Sequence, residues 1–101
     1  MVEVAMTPLR AMVESRRDEI KAAVARHRGK AVAVFGSVAR GEETADSDID
    51  VLIDFEEGSS LFDLMRVEDD LGSLLGRPID AVALGGLKPR DDDIRQEAIW
   101  L

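Results

Sequence analysis

Three short apolar runs constrain this chain more than any other feature: Ala31-Val32-Ala33-Val34-Phe35, Ile49 to Phe55, and Ile79 to Leu84. Each has the length of a strand and is bounded by turn or loop residues, so each reads as a buried strand. Between the second and third, Leu61, Leu64, Met65, Leu71, Leu74 and Leu75 mark an amphipathic helix that stops at Gly76. Gly58-Ser59-Ser60 ahead of it reads as a turn with a cap at its end. Thr7-Pro8 reads as an N-cap followed by proline at the first helical position. Leu9, Met12, Val13, Ile20 and Val24 then recur at roughly helical spacing and Gly29 is a natural stop, so one helix is expected from about Pro8 to Arg28. Pro89 and Asp91-Asp92-Asp93 open a last helix expected to end near Trp100, with acids suited to the positive end of its dipole. The order is α-β-β-α-β-α. The expected class is α/β (α+β), a three-stranded mixed sheet with helices packed on it.

The 101 residues suit one domain, 1–101, with a hydrophobic fraction of 46% sufficient for one core. A domain this small gains from a partner that covers apolar area. The net charge of -8 argues against unaided nucleic-acid binding, which needs a positive surface, and suits divalent cations or a basic protein partner. With no cysteine there is no disulfide framework and no thiolate chemistry, which fits a reducing cytoplasm. Neither a signal peptide nor a segment of membrane-spanning length is expected.

Two stretches carry chemistry: Gly36-Ser37-Val38-Ala39-Arg40-Gly41 and Ser47-Asp48-Ile49-Asp50-Val51-Leu52-Ile53. Side chains alternate along a strand, so Asp48 and Asp50 point the same way at the start of an apolar run. Two adjacent carboxylates repel and are costly to bury, and a hard divalent cation relieves that cost. By spacing alone the pair is equally readable as a solvated strand end. Gly36 can approach a ligand closely, and a helical turn beginning at Ser37 would present N–H groups and a hydroxyl to a phosphate. An ordinary strand-to-turn glycine is the plainer reading of Gly36 taken alone.

Topology joins the two stretches. If the first two strands are antiparallel, Gly36 and the carboxylate pair share one sheet edge. A helical crossover then makes the third strand parallel to the second, and its own acid, Asp80, falls beside them. Three carboxylates and a phosphate cradle converging on one edge are rare in a purely structural domain.

Gly-Ser, then Ala-Arg-Gly, then Ser-Asp-x-Asp opening a hydrophobic strand resembles the signature of the DNA polymerase β-like nucleotidyltransferase superfamily, and most of all its minimal (MNT) branch. The resemblance covers about residues 31 to 84 strongly and the flanking helices only in length and placement. It implies the nucleotidyltransferase fold and a two-metal Mg²⁺ site with Asp48, Asp50 and Asp80 as metal ligands, Asp80 being the third carboxylate, which helps activate the attacking hydroxyl by ligating the nucleophile-side metal or by taking the proton. It makes Gly36 and Ser37 triphosphate binders, Arg40 a phosphate or loop-anchoring residue, and Ser47 an organiser of the loop before Asp48. The larger helical domain with which bigger members grip base or acceptor is missing. Stand-alone minimal domains resemble the antitoxins paired with HEPN-domain toxin ribonucleases, which implies AMP transfer from ATP onto a toxin tyrosine within a hetero-oligomer. Two other readings stay open: a toxin-neutralising module acting by contact alone, and a small-molecule (antibiotic) nucleotidyltransferase.

Other polar residues have plainer readings. His27, beside Arg26 and Arg28, reads as a surface or helix-end cation, and Asp91 to Asp93 as helix N-terminal charge. Asp54 lies on the Asp50 face at the far end of its strand and reads as structural or solvated. Asp63, Glu68, Asp69 and Asp70 read as the wet face of the second helix, and Trp100 and Leu101 as packing.

Overall fold

The computed structural model describes residues 7–101, so the start of the chain, on which the expected lack of a leader partly rests, lies outside them. The elements are α1 (Pro8–Ser15), α2 (Arg17–Arg26), β1 (Gly29–Phe35), α3 (Gly36–Arg40), β2 (Ile49–Phe55), α4 (Leu61–Leu75), β3 (Ile79–Ala83), α5 (Asp92–Glu97) and β4 (Ile99–Trp100). Short 3₁₀ turns at Leu84–Gly86 and Pro89–Asp91 lie between β3 and α5. The sheet order is β3-β2-β1-β4. β1 and β2 are antiparallel and β2 and β3 parallel, as the α4 crossover requires.

Strand alternation divides the core in two. Val32, Val34, Ile49, Val51 and Ile53 face one way and pack with Val13, Ile20, Val24, Val67 and Leu71 of the helices. Ala33, Phe35 and Leu52 face the other way, under Val82, Leu84, Leu87, Ile94 and Ala98. The thick helical layer holds the fold together. The opposite face has only a thin cover, and at its β1–α3 end the polar residues of the site emerge.

Three expectations need correction. The first helix is two, because Arg16 leaves helical geometry (φ -113, ψ 20) and the Ser15 hydroxyl donates to the Met12 carbonyl at 2.8 Å. A serine that bonds back along its helix competes with the backbone ladder and bends it. Thr7 holds the N-cap position but makes no side-chain cap bond. The Glu43 carboxylate reaches across from the loop instead, accepting the N–H groups of Leu9 (2.9 Å) and Arg10 (3.2 Å). Finally, the sheet has four strands. The last helix ends at Glu97, and Ile99 and Trp100 pair antiparallel with Val34 and Ala33. Ile99 and Leu101 then join the helical-side core, while Trp100 stays 44% exposed. Three apolar residues are too few to show a period, so a strand at this point is indistinguishable in the sequence from a continuing helix.

The α4 boundaries agree with the sequence. Asp63 accepts the Ser60 N–H at 2.9 Å at its start, and Gly76 at its end takes φ +64.

Candidate active site

Phe35 lies opposite Asp50 in the β1–β2 register, and Asp50 lies beside Asp80 in the β2–β3 register. The next residue after Phe35, Gly36, therefore enters α3 directly against Asp50. Its φ is +69, and a Cβ built on it would run into the Asp50 carboxylate. Only glycine combines that backbone angle with that approach. Gly36 is buried, Ser37 and Asp50 are half-buried, and Asp48 and Asp80 are exposed. α3 ends at Gly41, itself at φ +71.

Burial raises the Asp50 carboxyl above its ordinary value, and the negative charges of Asp80 and Asp48 add to the shift while Arg40 works against it. Asp48 and Asp80 thus both act on Asp50 through space. A carboxylate in that position is stabilised by any cation that settles beside it. Among the described residues no three acidic, histidine or cysteine side chains gather closely enough to enclose an ion by themselves. Mg²⁺ seldom needs such a cage: it takes one or two carboxylates and completes its shell with water and substrate phosphates. The donor set of Asp48 and Asp50, all oxygen and open on one side, fits that habit.

Ser47 closes the turn before Asp48. Its hydroxyl accepts the Thr44 N–H at 2.8 Å, and its carbonyl accepts from Arg77 Nη2 at 2.5 Å. Arg77 belongs to the turn between α4 and β3, so this bond joins the loop carrying Asp48 to the strand carrying Asp80. Arg40 lies between two carboxylates, Glu42 at 3.0 Å and Glu97 at 3.0 Å. Glu97 also accepts the Gly36 N–H at 2.8 Å. The sequence reading did not single out Glu97, because one glutamate near a helix end carries no local signal.

His27, Asp70 and Asp54 lie away from this site or serve the fold. His27 caps the end of α2 and its Nε2 lies 2.7 Å from Asp70 Oδ2, so Asp70 is more than part of a wet face. That contact first, and then the nearby charges of His27 and Arg26, hold the Asp70 carboxyl below its ordinary value. Asp54 is 3.8 Å from Lys30 at the far end of β2. A cleft of about 420 Å³ opens at that far end, between Phe55, Leu61, Leu64 and Gly86, and contains none of the three site acids.

The sequence of the nucleotidyltransferase domain family matches this chain over residues 17–101. The chain belongs to that family. Among proteins similar to this nucleotidyltransferase, one from Methanocaldococcus jannaschii named as a protein adenylyltransferase is 40% identical over 75 residues, spanning 73% of this chain and 81% of its own. The protein adenylyltransferase MntA of Thermococcus cleftensis is 47% identical over 57 residues, 56% of this chain and 58% of its own. A solved minimal nucleotidyltransferase superposes with a TM-score of 0.81 at 44% identity, over 91% of this chain and 95% of that one. This nucleotidyltransferase is of the same minimal kind. A toxin–antitoxin structure with AMP-PNP has the same fold, with a TM-score of 0.70 at 17% identity over 86% of this chain and 70% of that one.

Proposed function

We propose that this nucleotidyltransferase moves AMP from ATP onto a tyrosine of a cognate HEPN toxin and so acts as its antitoxin. The observation that carries the reading is the register that sets Asp50 beside Asp80 and against Gly36. The names of the relatives support a protein acceptor, and the toxin–antitoxin likeness supports a toxin as that acceptor. The sequence contains no tyrosine, so an acceptor tyrosine lies outside these 101 residues.

In this reading Asp48 and Asp50 would hold Mg²⁺, with Asp80 on the acceptor side. The metal, when bound, supplies charge stabilisation to the transferring phosphoryl group and lowers the pKa of the acceptor hydroxyl. Gly36 lets the triphosphate approach the start of α3, and Ser37 offers it a hydroxyl and N–H groups. Asp80 accepts the proton of the attacking hydroxyl. The new bond joins the acceptor oxygen to the α-phosphorus, and the bond from that phosphorus to the departing pyrophosphate breaks. Most of the acceleration comes from positioning and electrostatics. No helix among the described residues is long and apolar enough to cross a membrane, and a chain without cysteine suits a cytoplasmic setting.

The test is transfer of labelled AMP from ATP with Mg²⁺, using the purified protein with the product of its neighbouring gene, beside an Asp48→Ala/Asp50→Ala control. The expected result is label on the neighbour that is absent in the control. A stable complex of folded proteins without label would replace this reading with neutralisation by contact alone.

A further inference from the structure

We propose that Glu97 is a positioning residue for nucleotide binding: its carboxylate holds the Gly36 N–H and Arg40 together, and so fixes the Gly36-Ser37 turn against Asp50. The inference rests on the function proposed above and adds to it a residue outside the Gly-Ser and Asp-x-Asp stretches. One Glu97 oxygen accepts the Gly36 N–H at 2.8 Å, and both oxygens lie within bonding distance of Arg40 Nη1, at 3.3 and 3.0 Å. The side chain is 25% exposed, against 67% for Glu42, the other partner of Arg40. Glu97 is therefore the better-shielded member of the pair, and its bonds are the stronger.

Its backbone is equally well placed. Glu97 ends α5 with only Ala98 between it and β4, and β4 is fastened to β1 by the pairing of Ile99 with Val34 and Trp100 with Ala33. The Leu101 N–H donates to the Val32 carbonyl at 2.9 Å. Since β1 runs directly into Gly36, Glu97 and the turn it holds are mounted on the same strand. Gly36 needs such support, because its left-handed φ of +69 is a geometry that a glycine free to move would share with many others. Without Glu97, the Gly36 N–H has no carboxylate and Arg40 keeps only the exposed Glu42. The turn that faces the phosphates then loses its fixed position while Asp48, Asp50 and Asp80 keep theirs.

The effect therefore falls on nucleotide affinity more than on turnover. The experiment measures binding of a fluorescent ATP analogue with Mg²⁺, and KM and kcat for labelled AMP transfer, in the wild type, Glu97→Ala and Glu97→Gln, with melting temperatures recorded for each. Glu97→Ala is expected to weaken binding and raise KM on the order of tenfold, as loss of a charge-assisted hydrogen bond does, with a smaller change in kcat. Glu97→Gln keeps an acceptor for Gly36 and loses only the ion pair, so it is expected to bind no more than about fivefold more weakly than the wild type. It also keeps the test open if Glu97→Ala does not fold at the assay temperature. Unchanged binding in Glu97→Ala overturns the proposal, and so does tighter binding, which would make Glu97 an occupant that nucleotide must displace. Equal loss in the glutamine and alanine variants overturns it as well. A wild type that binds no nucleotide overturns the function proposed above along with it, whereas a wild type that binds beside an unaffected Glu97→Ala overturns this inference alone.

Discussion

Replacing Gly36 by alanine brings a methyl group against Asp50, and the size of the penalty can be worked from two contributions. The first is backbone: a left-handed φ of +69 costs a residue with a Cβ about 1–2 kcal/mol. The second is steric. The new carbon would overlap the Asp50 carboxylate oxygen and lie 3.0 Å from Asp50 Cγ and 3.3 Å from its Cβ, so rotating the carboxylate does not clear it. Overpacking of this kind costs about 1–3 kcal/mol. Gly41 separates the two, because its φ is +71 but a Cβ there meets nothing nearer than Thr7 Cγ2 at 3.9 Å. Gly41→Ala should therefore lose only the backbone share, about 1–2 kcal/mol. Urea denaturation of both variants gives the difference directly, expected at about 1–3 kcal/mol. Nucleotide binding with Mg²⁺ should fall in Gly36→Ala and hold in Gly41→Ala, since only the first displaces Asp50. Equal stability losses in the two variants, or full nucleotide affinity in Gly36→Ala, would refute the claim that Gly36 is required by its closeness to Asp50.

Asp50→Asn is expected to abolish AMP transfer yet raise the melting temperature of the metal-free protein at pH 7. Because the folded-state pKa lies above the ordinary 3.8, the ionised group opposes folding at pH values above both, and the gain from removing it should vanish in melts run below pH 3.8. Added Mg²⁺ should stabilise the wild type in thermal melts and leave Asp48→Ala/Asp50→Ala unmoved. Asp70 has the opposite sign: its pKa is lowered, so its contribution is present above the ordinary value and lost as pH falls through the folded one. Asp70→Asn should accordingly be less stable than the wild type at pH 7, with the two curves converging in strong acid. Glu43→Ala removes the cap of α1 and should cost about 1 kcal/mol in urea denaturation, as loss of other N-terminal caps does, and Glu43→Gln should cost less.

The candidate site was legible wherever chemistry and strand period coincide. Asp48, Asp50 and Asp80 each stand at the opening of an apolar run, and the crossover rule then places Asp50 and Asp80 side by side without any knowledge of side-chain contacts. Gly36 was legible as a glycine ending a buried strand, although its reason, the Asp50 carboxylate lying where a Cβ would be, appears only in three dimensions. Glu97 was not legible, since its partners Gly36 and Arg40 lie some sixty residues earlier and nothing near it in sequence records them. The same holds for Glu43, which caps a helix more than thirty positions away while Thr7, the residue with the expected chemistry, stands beside that helix unused. The break at Arg16 was hidden because Leu9, Met12, Val13, Ile20 and Val24 keep their helical spacing across it.

The antiparallel pairing of Phe35 with Asp50 has an evolutionary consequence. Gly36, proposed to admit the triphosphate, follows Phe35 directly, and Asp50, proposed to hold the metal, lies across the ladder from Phe35, so that ladder sets their separation. The loop between α3 and Ser47 can lengthen or shorten without altering that spacing, because loop closure adds little cost per residue. Of Glu42 to Asp46 in that loop, four are exposed, and the fifth, Glu43, is held by its cap on α1. Insertions and substitutions there can accumulate in related chains while the Gly36–Asp50 contact keeps its place.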